Sequence, residues 1–297
     1  MLTHLNASPV SPSRVVILGA RGFIAQALAG KLAAGRIPVL AISSQELDLT
    51  LPGAGPVLGA LLQPADAVVM TAALTPEKGR DVPTLMKNLR MAENVAAALA
   101  AKPCAHFVYL SSDAVYNWQH PLISESIAPS PTDLYSAMHL AREQVFAAAT
   151  ATAKMPYCIL RPCAVYGPGD THNSYGPNRF ARSALAEGTI KLFGTGEETR
   201  DHVFIDDVTT IIELALRHCS TGTLNVVSGR SVTFAEAARL IAGLCPRTVT
   251  IESLPRSGPV THRHFDLTEL LQTFPGHTMT ALSAGMPNTL SGLVQSR

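Results

Sequence analysis

Residues 14–25 read RVVILGARGFIA, an apolar run that breaks at Gly19 and resumes in small and apolar residues. A strand turning directly into a helix leaves the first backbone N–H groups of that helix unpaired, and the helix dipole adds positive charge there. Such a terminus draws a phosphate. Gly19 permits the tight turn, and Gly22 leaves room for a pyrophosphate where a Cβ would intrude. Ala25 stands where a third glycine often sits and is small enough for the helix to pack on the sheet. The segment points to a dinucleotide site, although ordinary strand-to-helix turns also use small residues.

The rest of the chain repeats the same alternation. Short apolar runs at 14–18, 39–42, 67–70, 106–110 and 157–160 predict strands. Stretches rich in Ala, Leu, Glu and Met at 22–34, 82–101 and 134–152 predict helices between them. Near-continuous apolar strands alternating with helices imply a parallel sheet covered on both faces, a doubly wound α/β (Rossmann) fold. Ligands of such sheets sit beyond the carboxyl ends of the strands. After Gly167 the texture changes to GPGDTHNSYGPNRF, a loop of the kind that carries function. Helices at 181–187 and 234–244, strands at 190–193, 223–227 and 248–253, and a helix opening at Asp206-Asp207 are expected beyond it. The organisation expected is a dinucleotide-binding domain over 1–168, to which 203–229 returns. A smaller, interleaved substrate lobe takes the rest of 169–297.

Composition narrows the function. The 297 residues hold 23 basic and 22 acidic side chains, a net charge of +1 that gives no basic surface for nucleic acid or membrane. Five cysteines without a CxxC pair read as reduced thiols. Residues 1–13 lack the basic start and apolar run of a signal peptide and read as a loose tail. Prolines and glycines interrupt the weakly charged stretch 51–75, so no spanning helix is expected there. The expected location is cytoplasmic. His262 and His264 have no evident third ligand, so no metal site is expected.

One predicted helix presents Tyr135 and His139 four residues apart, on one face. Upstream, the strand at 106–110 ends in Ser111-Ser112-Asp113. With GARGFIA, VVMTAA, LSSDAVY, YSAMH, LRPCAVYGPGD and KLFGTGEETRDHVFIDDV in this order, the chain resembles the extended short-chain dehydrogenase/reductases, in particular the NAD-dependent epimerases and dehydratases of nucleotide-sugars. The resemblance runs from about residue 14 to about residue 274. It implies a cofactor, NAD or NADP, held by Gly19, Arg21, Gly22, Phe23 and Ile24. Ser43, Asp48 and Leu49 would lie at the adenosine end. Ala72, Ala73, Asn88 and Ser111 would follow along the channel, with Pro162 and Val165 at the nicotinamide end. It further implies Tyr135 as general base, Ser112 as its hydroxyl partner and Asp113 as a proton donor of the dehydratase kind. Asn178, Arg200, Arg256 and Arg263 would contact substrate, and the helices at 82–101 and 134–152 would support a homodimer. Neither an acidic residue nor an arginine follows the second strand at Ser43-Ser44-Gln45, so the choice of NAD over NADP rests on the resemblance.

The chain departs from the family at His139, where the resemblance calls for lysine. A fixed cation about 4 Å from a tyrosine, at an effective dielectric of about 20, is worth about 4 kcal/mol, or about three pKa units. A free imidazole is mostly neutral at pH 7 and supplies little of that. Either a neighbouring tyrosinate or Asp113 keeps His139 charged, or the oxidised nicotinamide supplies the charge while imidazole hydrogen-bonds a ribose hydroxyl. Structural readings also stand: Tyr135 as a packed helix residue, Asp113 as an Asx turn, Arg200 as an ion pair between lobes. The function expected is nucleotide-sugar oxidoreduction. A cofactor-binding protein without turnover and an enzyme of a non-sugar alcohol or carbonyl compound are the alternatives.

Overall fold

A computed structural model of the chain describes residues 2–256 and 258–295. Its first part runs β1 (Leu2–His4), β2 (Arg14–Leu18), α1 (Phe23–Ala34), β3 (Val39–Ile42), α2 (Ala54–Leu61), β4 (Asp66–Met70), α3 (Val82–Ala101), β5 (His106–Leu110), α4 (Leu134–Ala153) and β6 (Tyr157–Pro162). It continues through β7 (Ala164–Tyr166), α5 (Pro177–Glu187), β8 (Thr189–Phe193), β9 (Thr199–Phe204), α6 (Ile205–Arg217) and β10 (Ser220–Val226). The last part holds β11 (Ser231–Thr233), α7 (Phe234–Leu244), β12 (Thr250–Leu254), α8 (Thr268–Thr273) and α9 (Leu282–Gln295).

Seven strands form the large sheet in the order β1-β10-β6-β5-β4-β2-β3, parallel except for β1. From β2 the chain steps outward to β3 and then back across to β4. The order therefore reverses between β2 and β4, and a crevice opens beyond their carboxyl ends. Alternate strand residues feed the two cores. Val15, Ile17, Val69 and Val108 pack with Leu28, Leu32, Ile211 and Ile212 on one face. Val16, Leu18, Val68 and Met70 pack with Leu58, Val95, Leu99 and Phe146 on the other. Each such buried side chain is worth about 1.5–3 kcal/mol. β11-β9-β7 and β12-β8 form two small sheets beside a third core of Phe180, Ile190, Phe204, Phe234 and Met286.

The expected loose tail is instead an edge strand: Leu2, Thr3 and His4 pair with Gly222, Thr221 and Ser220. The open edge of β10 offers unpaired backbone groups, and half-buried Leu2 packs on the core. His4 anchors the strand through Ser220 Oγ (2.9 Å) and a ring stack on His218 (4.3 Å). The short elements α2, β7, β9 and β11 are also absent from the sequence expectation. β9 pairs with β7 and with β11 across intervening elements, so local pattern does not announce these strands. No helix among the described residues is long and apolar enough to cross a membrane.

Candidate active site

The phosphate end is built by β2 and α1. Gly19 has φ +98°, and a Cβ there would come within 2.7 Å of Ala72 N and 2.9 Å of Thr71 Oγ1. Gly22 N–H donates to Gly19 O at 2.9 Å and closes the turn. Gly22 also caps α1 without a side-chain hydrogen bond, and the first helical turn holds no acid. The α1 terminus thus has free N–H donors and no competing anion, which fits a pyrophosphate.

From that turn a cleft of about 990 Å³ runs across the carboxyl ends of the strands. Of the expected cofactor contacts, Gly19, Arg21, Gly22, Phe23, Ile24, Ser43, Asp48, Leu49, Ala72, Ala73, Ser111, Tyr135, His139, Pro162 and Val165 line it. Asn88 stands behind the lining: its side-chain amide accepts from Leu74 N (2.8 Å) and donates to Leu74 O (3.1 Å) and Thr84 O (3.2 Å). It staples the loop after β4 that carries Ala72 and Ala73. At the adenosine end, Ser43 N–H and the Ser43 hydroxyl both donate to Glu46, which holds that carboxyl below its usual range. Asp48 accepts from Thr50 N (2.9 Å) and Thr50 Oγ1 (2.7 Å).

The reactive end gathers residues from β5 and α4. Asp133 and Ser136 form a capping box that starts α4 immediately before Tyr135. The Tyr135 and His139 rings meet edge to face, centroids 4.7 Å apart, as the four-residue spacing requires. Ser112, just beyond the end of β5, lines the cleft together with Tyr135. Burial, then Asp113, pushes the Tyr135 phenol up to about 12, while Ser112 and Arg142 pull it down.

His139 is buried, and its Nδ1 lies 2.7 Å from the Tyr109 hydroxyl. Its Nε2 has no protein partner among the described residues. Burial first, and then the Arg142 cation, lowers the imidazole to about 3. Of the two alternatives for His139, this direction favours the neutral ring that hydrogen-bonds over the ring kept charged by a tyrosinate or Asp113. Asp113 is not among the cleft-lining residues and pairs with Arg263, Nη1 to Oδ2 at 2.6 Å.

The expected substrate contacts divide. Asn178, at the start of α5, lines the cleft and accepts from Gly167 N at 3.2 Å. The three arginines lie outside the lining, spent on protein partners. Arg200 donates to Thr199 O (2.8 Å) and to Thr261 O and Oγ1 (each 2.7 Å), and stands 3.8 Å from Glu198. Arg256 pairs with Glu197 (2.8 Å) and Glu198 (3.1 Å). Buried Arg263 also donates to Tyr116 O and sits 3.9 Å from the Trp118 ring centre. Nearby acids and carbonyls hold these cations, which motif position alone did not reveal. His262 is exposed and His264 half-buried, both against Thr199 Oγ1.

Several cleft residues escaped the sequence reading. His202 on β9 lines the cleft, buried, with both ring nitrogens unpaired, and burial lowers it to about 3. Tyr175 joins it, packed against Phe180, Phe193 and Phe234. Arg142 lies three residues beyond His139 on the same helix stripe, a spacing that was legible.

Residues 15–227 match the model of a family described as "NAD dependent epimerase/dehydratase family". A dTDP-L-rhamnose 4-epimerase of Burkholderia thailandensis is 26% identical, over 99% of this chain and 98% of that protein. The UDP-glucose 4-epimerase of Thermus thermophilus, solved with NAD, superposes with a TM-score of 0.85 at 20% identity. It covers 96% of this chain and 100% of the other. RMD from Pseudomonas aeruginosa, solved with NADPH, gives 0.82 at 24% identity over 96% and 100%.

Proposed function

This chain belongs to the NAD dependent epimerase/dehydratase family, and from that premise we propose that it oxidises or reduces a nucleotide-sugar with Tyr135 as the proton-transferring base. One observation carries the reading: Ser112 and Tyr135 line the same cleft whose other end is the Gly19–Gly22 turn. Gly19, Gly22 and the α1 terminus would hold a nicotinamide dinucleotide along that cleft, and it would supply a hydride acceptor. Tyr135 takes the proton of the sugar hydroxyl as hydride leaves the same carbon. Ser112 hydrogen-bonds the reacting oxygen. His139, held neutral, would position a ribose hydroxyl through its unpaired Nε2 instead of acting as the cation. Asn178, Tyr175 and His202 face the substrate.

We assign residues 1–168 and 203–229 to cofactor binding and the remainder to the substrate lobe. NAD is the proposed cofactor, because the Glu46 carboxylate beside Ser43 disfavours a 2′-phosphate. The names of the relatives favour a dTDP- or UDP-linked hexose with chemistry at C4. Exposed Val82, Met86, Leu134 and Val145 on α3 and α4 support a homodimer through those helices. The free cysteines support residence in the cytoplasm.

A thermal-shift panel of NAD, NADP, UDP- and dTDP-sugars tests the reading, followed by nicotinamide absorbance with each stabilising sugar. Stabilisation by a cofactor and one sugar, with hydride transfer, is the outcome expected. Stabilisation by cofactor alone, with no turnover on any sugar, would replace it with a cofactor-binding protein that lacks chemistry. The neutral His139 and the occupied Arg200, Arg256 and Arg263 are the observations behind that second reading.

A further inference from the structure

The stripe of α4 that carries Tyr135 and His139 continues to Arg142. The intervals of seven and three residues keep all three on one helix face. Arg142 is fully buried. Among the described residues no carboxylate forms an ion pair with it; the adjacent Glu143 is taken by Arg161 (2.6 Å) and the Ser111 hydroxyl (2.6 Å). Arg142 Nη2 donates to Ala72 O at 2.8 Å, on the loop that lines the cleft. Its guanidinium carbon stands 5.1 Å from the centre of the Tyr109 ring, whose hydroxyl meets His139. Arg142 Nε has no partner. A cation buried without a counter-charge is costly, and packing alone would favour an apolar residue there.

We propose that Arg142 is the fixed positive charge of this site, placed one helical turn beyond the position where the resembling family carries lysine. The proposal rests on the reading of Tyr135 as base. Arg142 reaches neither substrate nor cofactor in this arrangement; it is a positioning residue that acts on Tyr135 across His139 and Tyr109. A guanidinium keeps its proton at every working pH, whereas His139 is neutral. Its field favours tyrosinate at Tyr135 and opposes the burial and the Asp113 charge that raise the phenol.

The other charged groups around Tyr135 are already committed. Asp113, on the loop after β5, pairs with Arg263. Glu143 on α4 pairs with Arg161 on β6. Asp133 caps α4. Burial keeps Tyr109, Tyr157 and Cys163 protonated. The buried residues of α3 include no ionisable group. Arg142 is thus the cation among these groups without an acid of its own.

The test is an ultraviolet difference titration of tyrosinate, with Tyr135→Phe as the blank, in the wild type and in Arg142→Gln and Arg142→Lys. Arg142→Gln should raise the Tyr135 midpoint by about one pH unit or more, and Arg142→Lys should stay within about half a unit of wild type. Arg142→Met, an apolar chain of similar length, gives the same reading if Gln fails to fold. Coincident midpoints in wild type and Gln, or a lysine variant that moves as far as Gln, would overturn the proposal. The titration needs no turnover. A Tyr135→Phe enzyme that keeps its activity while the midpoints still separate would sink the base reading and leave the Arg142 field standing.

Discussion

Arg263 Nη1 lies 2.6 Å from Asp113 Oδ2 and 2.7 Å from Asp113 O, so one guanidinium ties the segment after β12 to the strand end that carries Ser112. Asp113 in turn raises the Tyr135 phenol. Arg263→Gln should therefore act twice. Loss of a pair with one buried partner costs about 2–4 kcal/mol, the lower part of that range applying because Asp113 reaches solvent. The uncompensated carboxylate also moves the rising, acid-side limb of kcat/KM, which reports loss of the Tyr135 proton, to higher pH. Urea unfolding and a pH–rate profile check the two effects separately.

Tyr135→Phe removes the base and keeps the ring that packs on His139. Turnover should fall by about 10²–10⁴-fold, the usual worth of a positioned acid–base group. Cofactor affinity, measured by calorimetry, should change by less than about threefold, because the phosphates are held at the α1 terminus.

Three buried imidazoles govern acid stability. Burial lowers His106 to about 4 and His139 and His202 to about 3. In the unfolded chain each takes a proton near pH 6.5. Their contribution to stability is complete above that value and is lost as pH falls towards 4 and then 3. Between pH 6 and pH 5 the three together should remove about 3–4 kcal/mol. Urea midpoints across that interval measure the slope, and His202→Gln should reduce it by about a third.

Gly19→Ala tests the turn. The new Cβ would meet Ala72 N at 2.7 Å in a backbone conformation, φ +98°, that side chains rarely adopt. Strain and clash together should cost about 2–3 kcal/mol, and stabilisation by NAD should vanish. A melt that still rises with NAD would contradict the assignment of this turn to the pyrophosphate.

Much of the cleft was legible because its parts are local. The turn at Gly19 and the pairing of Tyr135 with His139 each depend on residues within a few positions of one another. Periodicity likewise marks the strands of the parallel sheet, since both faces are buried and the runs are apolar throughout. The edge strand Leu2–His4 was invisible, because its register is written in β10, more than two hundred residues away. Separations of 61 and 150 residues likewise hid the fates of Arg200 and Arg263, whose partners include Thr261 and Asp113.

By itself, the sequence determined the alternating α/β order, the glycine turn and the Tyr135–His139–Arg142 stripe, all consequences of short-range sterics and helical period. Tertiary structure alone decided which of those groups carry charge. Burial made His139 neutral, Arg263 took up Asp113, and Glu143 was drawn to Arg161, leaving Arg142 without an acid. The cost of charging an ionisable side chain is set by the solvent it loses and the ions it meets, and both come from segments distant in the chain.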